Sequence, residues 1–144
     1  MAESDVAGTA RTAARVVRVA VTASAVAMLE RLEAIHGPLI FHQSGGCCDG
    51  SSPMCFPRGE FIIGQRDAYL GTIAGVPFYI GGAQFVHWKH TQLTIDVVSG
   101  RGSGFSVESP EGVRFLTRSR LFSEEELAAL EAEGPVLRGE QADR

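Results

Sequence analysis

The amino-acid sequence predicts an α+β domain whose strands are mainly antiparallel, with one N-terminal helix and one short C-terminal helix. Three observations support this fold class. A capped apolar stretch follows a short β-branched run near the start, short β-rich runs separated by Gly and Pro fill the middle, and a capping-box sequence stands near the end. The spacing between the runs leaves no room for crossover helices, which excludes a doubly wound parallel sheet.

The chain length predicts a single domain. The 144 residues are 44% hydrophobic and 21% charged, a composition typical of a globular protein that can bury its own core. We expect residues 15–133 to form that domain. Residues 1–14 are small and polar, and residues 134–144 are charged and interrupted by Gly and Pro, so both are expected to be flexible.

The first predicted elements are a strand and a helix. Residues 16–21 are mostly β-branched, which favours a short strand. Thr22 or Ser24 can cap the helix that follows, and Gly37 is expected to end it. The apolar positions that predict this helix are Val26, Met28, Leu29, Leu32 and Ile35.

From Pro38 onward the sequence predicts an antiparallel sheet. Ala74 and Gly75 separate two β-rich runs and predict a hairpin turn, while Ser123 and Glu126 form the capping box of the last helix. The predicted strands are residues 39–42, 61–63, 68–73, 76–80, 85–88, 93–98 and 113–117.

Charge and hydropathy exclude two classes of partner. A net charge of −4, with no run rich in Lys or Arg, predicts that the protein does not bind nucleic acid. No apolar run approaches the roughly 20 residues that span a bilayer, so we expect no membrane insertion. The acidic start, Met1 to Asp5, differs from a secretory signal, and a cytoplasmic location is expected. Homodimerisation is expected because most oligomers are homodimers.

The candidate functional site is the loop from Gly45 to Cys55, which contains all three cysteines. An odd number of cysteines, two of them adjacent, argues against a secreted disulfide framework and favours free thiols, thiolate ligands or redox chemistry. Glycines beside Cys47 and Cys48 let backbone N–H groups approach a thiolate closely, which lowers the thiol pKa.

Metal binding is the first interpretation of this loop. Cys47, Cys48 and Cys55 can supply three sulfur ligands to iron, zinc or an iron–sulfur cluster, with His42 or Asp49 completing the set. Adjacent residues of an extended chain point to opposite faces, so this site requires a sharp turn between the first two cysteines, and the following Asp-Gly pair favours one.

Thiol chemistry is the alternative. The adjacent cysteines Cys47 and Cys48 can form a redox switch, or either can pair with Cys55. Either of the adjacent cysteines can instead act as a catalytic nucleophile, and the sequence leaves the base open. The candidate bases are His42, His87 and His90.

The glycine-rich stretch 100–104 does not predict a dinucleotide site. It leads into the strand-like sequence 105–107 rather than into a helix whose N-terminus would bind pyrophosphate. We therefore expect a tight turn there and no NAD site in this chain.

Residues 41–51, with the Gly-Gly-Cys-Cys-Asp-Gly core, resemble the bacterial domain-of-unknown-function 779 family, as do residues 102–105 and 123–127. Members of that family are commonly encoded beside an aldehyde dehydrogenase. The resemblance implies an accessory protein of aldehyde metabolism, with the dehydrogenase as its partner. Autonomous aldehyde dehydrogenase activity is not expected, because those enzymes are several times longer and contain a nucleotide-binding domain.

A second resemblance is to the HesB-like A-type iron–sulfur carriers. A leading helix at residues 22–35, a Ser-Gly-Gly-Cys loop at residues 44–47 and a Gly-Ser-Gly-Phe strand at residues 102–105 occur in the carriers' order. This likeness implies twisted sheets and Cys47 as a cluster ligand. The carriers' closing cysteine pair is absent after Pro110, so Cys48 and Cys55 would act as local ligands.

The sequence therefore allows three functions. The first is an accessory protein of aldehyde metabolism that binds a metal or cluster through Cys47, Cys48 and Cys55. The second is a cysteine-dependent enzyme that acts on aldehydes or their adducts through thiol chemistry. The third is a metal-free binding partner or chaperone of the dehydrogenase, with the loop as its contact surface.

Overall fold

In a computed structural model, residues 16–43, 50–100 and 106–139 are described. The strands are β1 (Val19–Val21), β2 (Leu39–Gln43), β3 (Met54–Pro57), β4 (Ala68–Ile73), β5 (Val76–Ile80), β6 (Thr91–Ser99) and β7 (Val113–Leu121). The helices are α1 (Ala23–His36), α2 (Gly82–Trp88) and α3 (Glu124–Glu133), and short 3₁₀ turns cover Arg58–Glu60 and Ser109–Glu111.

The strands form two sheets. One has the order β1-β6-β7 and the other β3-β2-β5-β4. The pairs β1–β6 and β2–β5 are parallel, and the other three pairs of the described chain are antiparallel. The mixed α and β content agrees with the predicted class, but the sheets are less antiparallel than the sequence predicts. The HesB-like arrangement stays a prediction.

Helix α1 begins and ends where the sequence predicts. The Thr22 hydroxyl accepts a hydrogen bond from the Ala25 N–H at 3.2 Å, which satisfies one of the free donors of the first turn. The same hydroxyl donates to Asp96 Oδ1 at 2.9 Å and so ties the helix start to β6. Gly37 ends the helix with φ of 81°, a backbone conformation that favours glycine.

Local signals also place the hairpin and the last helix correctly. Ala74 and Gly75 both have positive φ, 51° and 78°, as a type I′ turn between β4 and β5 requires. Ser123 accepts from the Glu126 N–H at 3.1 Å and Glu126 accepts from the Ser123 N–H at 2.9 Å, so the capping box of α3 is complete.

The structure corrects two of the predicted elements and adds a strand that was not predicted. Residues 85–88 belong to α2 rather than to a strand, and residues 61–63 lie in a loop. Phe85 and Trp88, three residues apart, are both buried, which is the spacing of one helix face. Strand β3 was not predicted, because Met54 and Cys55 were assigned to the cysteine-rich loop.

Both sheets contribute to one core. The Phe41 ring of β2 meets the Phe115 ring of β7 edge-to-face, with centroids 5.0 Å apart, and lies 5.5 Å from the ring of Phe78 on β5. Helix α1 covers this core with fully buried side chains, among them Leu29 and Leu32. A smaller cluster on the other face of the four-stranded sheet is centred on Ile40 and Tyr79.

Residues 134–139, which the sequence places in the C-terminal tail, run beside β4. The Tyr69 N–H donates to the Leu137 carbonyl at 2.9 Å, and the Gly139 N–H donates to the Asp67 carbonyl at 3.0 Å. Ala68 and Arg138 form an isolated antiparallel bridge. Residues 137–139 are therefore hydrogen-bonded or bridged to the start of β4 and to the residue before it.

The start of α2 allows a direct test of the packing. A Cβ at Gly82 would lie 2.6 Å from the backbone oxygen of Arg66, so Gly82→Ala should lower the free energy of unfolding by roughly 1–3 kcal/mol through overpacking. Gly59→Ala is the matched control, since no atom lies within 4 Å of its Cβ position, and it should change stability by less than about 0.5 kcal/mol. Urea denaturation of both variants checks this; equal stability would contradict the close approach.

Candidate functional site

Residues 44–49, which contain Cys47 and Cys48, are called the cysteine segment below. Of the described residues on either side of it, Gln43 belongs to the four-stranded sheet and Gly50 is hydrogen-bonded to the three-stranded sheet. Gln43 ends β2, and its carbonyl accepts from the Gly81 N–H at 3.0 Å. On the other side, the Gly50 N–H donates to the Thr117 carbonyl at 2.7 Å, and the Thr117 N–H donates to the Ser51 carbonyl at 2.8 Å. The segment therefore joins the four-stranded sheet to β7 of the three-stranded sheet. Cys47, Cys48 and Asp49 lie outside the described residues.

The guanidinium group of Arg114 lies at the C-terminal end of this segment. Arg114 of β7 donates from Nη1 to the Ser52 hydroxyl at 2.7 Å and to the Gly50 carbonyl at 3.3 Å. No carboxylate of the described chain is ion-paired with this guanidinium. Sequence reasoning missed Arg114, because an isolated arginine in a predicted strand gives no sign that it reaches a loop more than sixty residues earlier.

Cys55 lies in the core rather than in an open loop. It is fully buried on β3, opposite Phe41, and belongs to the main hydrophobic cluster. Burial raises the pKa of its thiol, and the nearby Glu108 carboxylate raises that pKa further. Since the thiolate is the form that binds metals and attacks electrophiles, this environment opposes both roles for Cys55.

His42 lies on the opposite face of the same sheet. It pairs with Met54, and its ring centroid is 4.9 Å from that of Phe61. Its Nε2 lies 3.0 Å from Asp67 Oδ1, an ion-pair distance, although the two groups lack hydrogen-bond alignment. Because neighbouring residues of a strand face opposite sides, the structure does not bring His42 and Cys55 together.

The other predicted bases are exposed. His87 lies in α2 and His90 follows that helix, and both side chains are open to solvent. Within the described part of the chain, no three His, Cys, Asp or Glu side chains are grouped in a way that could bind a metal ion. The predicted ligand set of Cys47, Cys48 and Cys55 is only partly within that range, so it stays a prediction.

A buried polar cluster lies next to Cys55. The Ser106 hydroxyl accepts from the Cys55 N–H at 2.8 Å and donates to the Glu108 carboxylate. The second oxygen of Glu108 accepts from the Phe115 N–H at 3.4 Å, and the Val107 N–H donates to the Cys55 carbonyl at 3.0 Å. These bonds fasten residues 106–108 to β3 and β7.

The Glu108 carboxyl has an altered pKa. The residue is fully buried, and burial raises the pKa above the ordinary value for glutamate, while the hydrogen bonds from Ser106 and Phe115 act in the opposite direction. Sequence reasoning missed this residue as well, because a glutamate before Ser-Pro in a loop gives no sign of burial.

The model of a protein family matches residues 28–121, which include the cysteine segment, Arg114 and Glu108. The chain belongs to the DUF779 family. That family is described as a domain of unknown function. No curated protein shows significant similarity to this DUF779 chain. Among its described residues, no helix combines the length and the apolar character that a membrane crossing requires.

Because Cys55 is buried, we expect its thiol to react slowly in the native protein and the thiols of Cys47 and Cys48 to account for the faster reaction. In a Cys47→Ser/Cys48→Ser variant of this DUF779 protein, the remaining Cys55 thiol should react with Ellman's reagent roughly a hundredfold more slowly in the native state than in guanidinium chloride, because a buried neutral thiol is a poor nucleophile. Equal rates in the two solvents would contradict the buried position. A Cys55→Ser variant shows how much of the wild-type reactivity comes from the adjacent cysteines.

The raised pKa of Glu108 predicts a pH dependence of stability. Its stabilising contribution is present below the ordinary glutamate pKa and is lost as the pH rises through the folded-state pKa. From about pH 4 upward, the stability of the wild type relative to Glu108→Gln should therefore fall, by about 1.4 kcal/mol for each unit of pKa elevation. Glu60→Gln, at an exposed position, is the control; denaturation series at several pH values give the comparison. A difference independent of pH would rule out the shift.

Proposed function

We propose that this protein is a thiol-dependent accessory protein of aldehyde metabolism, in which Cys47 and Cys48 form the reactive centre. One observation carries the choice of thiol chemistry: the Arg114 guanidinium is fixed on the Gly50 carbonyl and the Ser52 hydroxyl. Cys48 precedes Gly50 by two residues in the chain. A cation at the end of the segment favours thiolate over thiol.

The environment of Cys55 also favours a centre made from the adjacent pair. A three-cysteine metal site would require the thiolate of Cys55, whose thiol pKa is raised by burial. Completing that site with His42 would require ligands from both faces of one sheet. Cys55 and His42 are the two members of the predicted ligand set that lie among the described residues, and their positions do not favour a shared metal ion; the positive charge of Arg114 also disfavours cation binding.

The chemistry suited to such a centre is addition to a carbonyl group. A thiolate of the pair attacks the aldehyde carbon, a C–S bond forms, and the π electron pair moves to the oxygen, which takes a proton to give a hemithioacetal. The step is reversible and consumes no oxidant. Aldehyde as the substrate class comes from the family resemblance, and an aldehyde dehydrogenase is the partner that would receive the released aldehyde.

The electrostatic part of the proposal has a direct test. In a Cys47→Ser background, Arg114→Gln should raise the pKa of Cys48 by about one unit and slow its alkylation by iodoacetamide at pH 7 about tenfold. Arg114→Lys should restore most of the rate, because it keeps the charge. Arg118→Gln is the matched control on the same strand, where Arg118 Nη2 lies 3.0 Å from Asp96 Oδ2.

The dependence of the alkylation rate on pH separates charge from folding. A shift of the profile in Arg114→Gln, with normal thermal unfolding, supports the proposal. An unchanged profile, or ordinary reactivity of both adjacent cysteines, would overturn it.

The substrate class is tested with a ¹³C-labelled aliphatic aldehyde. The wild type should show the NMR resonance of a hemithioacetal carbon, and the Cys47→Ser/Cys48→Ser variant should not. Elemental analysis of untagged, anaerobically purified protein tests metal binding on the same samples: stoichiometric iron or zinc that is lost in Cys47→Ser would replace this proposal with the metal-binding one. Co-purification with the dehydrogenase that survives loss of all cysteines would favour the chaperone function.

A further inference from the structure

A groove of about 400 Å³ lies between α2, α3 and residues 134–139. Its basic residues are Arg18, Lys89, His90 and Arg138, with Glu131 as the acidic member of the lining. This is a concentration of positive charge in a protein whose net charge is −4. Arg18, Lys89 and Arg138 are far apart in the sequence, and the fold brings them to one groove.

The two arginines share one aromatic ring. The Cζ atom of Arg18 lies 5.4 Å from the centroid of Phe85, and that of Arg138 lies 5.6 Å from it. Backbone carbonyls fix both: Arg18 Nη1 donates to the Lys89 carbonyl at 3.3 Å, and Arg138 Nη1 donates to the Arg66 carbonyl at 2.9 Å. Both guanidinium groups are thus held beside the Phe85 ring by neutral partners.

No carboxylate of the described residues is ion-paired with Arg18, Lys89 or Arg138. The Glu133 carboxylate is near enough to raise the pKa of Arg18, although burial lowers that pKa more. Two cations beside one ring repel each other, and this repulsion grows as water is removed; Glu131 and Glu133 offset it without forming an ion pair with Arg18 or Arg138. A bound anion would offset this repulsion further.

The rest of the groove is apolar. Leu127, Leu130 and Val136 line it, and a neighbouring groove of about 500 Å³ shares Arg18, Leu130, Pro135 and Val136 with it. The second groove adds Val17, Val19 and Leu70 to the apolar lining. Arg18 therefore lines both the basic groove and its more apolar neighbour, which also contains Glu133. Grooves of this size are in the range of small-molecule sites.

We propose that these adjoining grooves bind a small organic anion with an elongated aliphatic body. The anionic head pairs with Arg18, Lys89 and Arg138, and the body lies along Leu130 and Val136. A carboxylate and a phosphate monoester share this chemistry, and guanidinium groups can bind either one through two parallel hydrogen bonds. The site is independent of the cysteine segment, so loss of Cys47 and Cys48 should leave it unchanged.

Isothermal titration calorimetry with decanoate on the full chain tests the proposal. Arg138→Gln and Lys89→Gln remove exposed cations of the groove, and each should weaken decanoate binding about tenfold, the loss expected for one charge-assisted hydrogen bond. Arg31→Gln is the control with the same change of charge; Arg31 is ion-paired with Glu111 at 3.0 Å and does not line the groove. It should bind as the wild type does. Decyl phosphate distinguishes a phosphate ligand from a carboxylate ligand by its relative affinity.

Two further probes examine the two parts of the site separately. 1-Decanol lacks the charge, and inorganic phosphate lacks the aliphatic body, so each should bind at least tenfold more weakly than the better of the two decyl anions. Decanol that binds as tightly as decanoate, phosphate that binds as tightly as decyl phosphate, or variants at positions 89 and 138 that bind like the wild type would overturn the proposal. Higher salt should weaken binding of the anions and leave that of decanol unchanged.

Discussion

The edge-to-face contact between Phe41 and Phe115 is the interaction on which the rest of the structure depends. It joins the inner strand β2 of one sheet to β7 of the other, and both rings are fully buried. Because side chains alternate along a strand, Phe41 in the core requires Gln43 on the same face and His42 on the opposite one. Register then places Cys55, the partner of Phe41, inside as well. One aromatic contact thus decides which of the predicted site residues is buried.

Much of the fold was predictable because its signals are local. The start and end of α1, the turn at Ala74 and Gly75, and the capping box of α3 each depend on a few adjacent residues, and the structure has them where the sequence places them. Helix α2 was not predictable in this way. Seven residues give little periodicity, and its first turn depends on the approach of Gly82 to the Arg66 backbone, a contact that no local pattern contains.

The candidate site shows the same division between local and long-range information. Cys47, Cys48 and Cys55 were predicted to share a site because they are close in the chain. The Gly-Gly-Cys-Cys core also indicated the DUF779 family, which the match of the family model to residues 28–121 confirms. Whether Cys55 is buried depends on its pairing with β2, which proximity in the chain does not reveal. Arg114 and Glu108 were missed for the reverse reason, since they reach Gly50 and the surroundings of Cys55 from the second half of the chain.

Glu108 and Arg114 lie close in sequence but have different partners. Glu108 accepts a hydrogen bond from the Phe115 N–H of β7, whereas Arg114 donates to the Gly50 carbonyl and the Ser52 hydroxyl. The raised pKa of Glu108 means that, at any pH within its titration, this carboxyl carries less negative charge than an exposed glutamate would. The burial that keeps Cys55 a neutral thiol therefore also favours the neutral form of its neighbour Glu108.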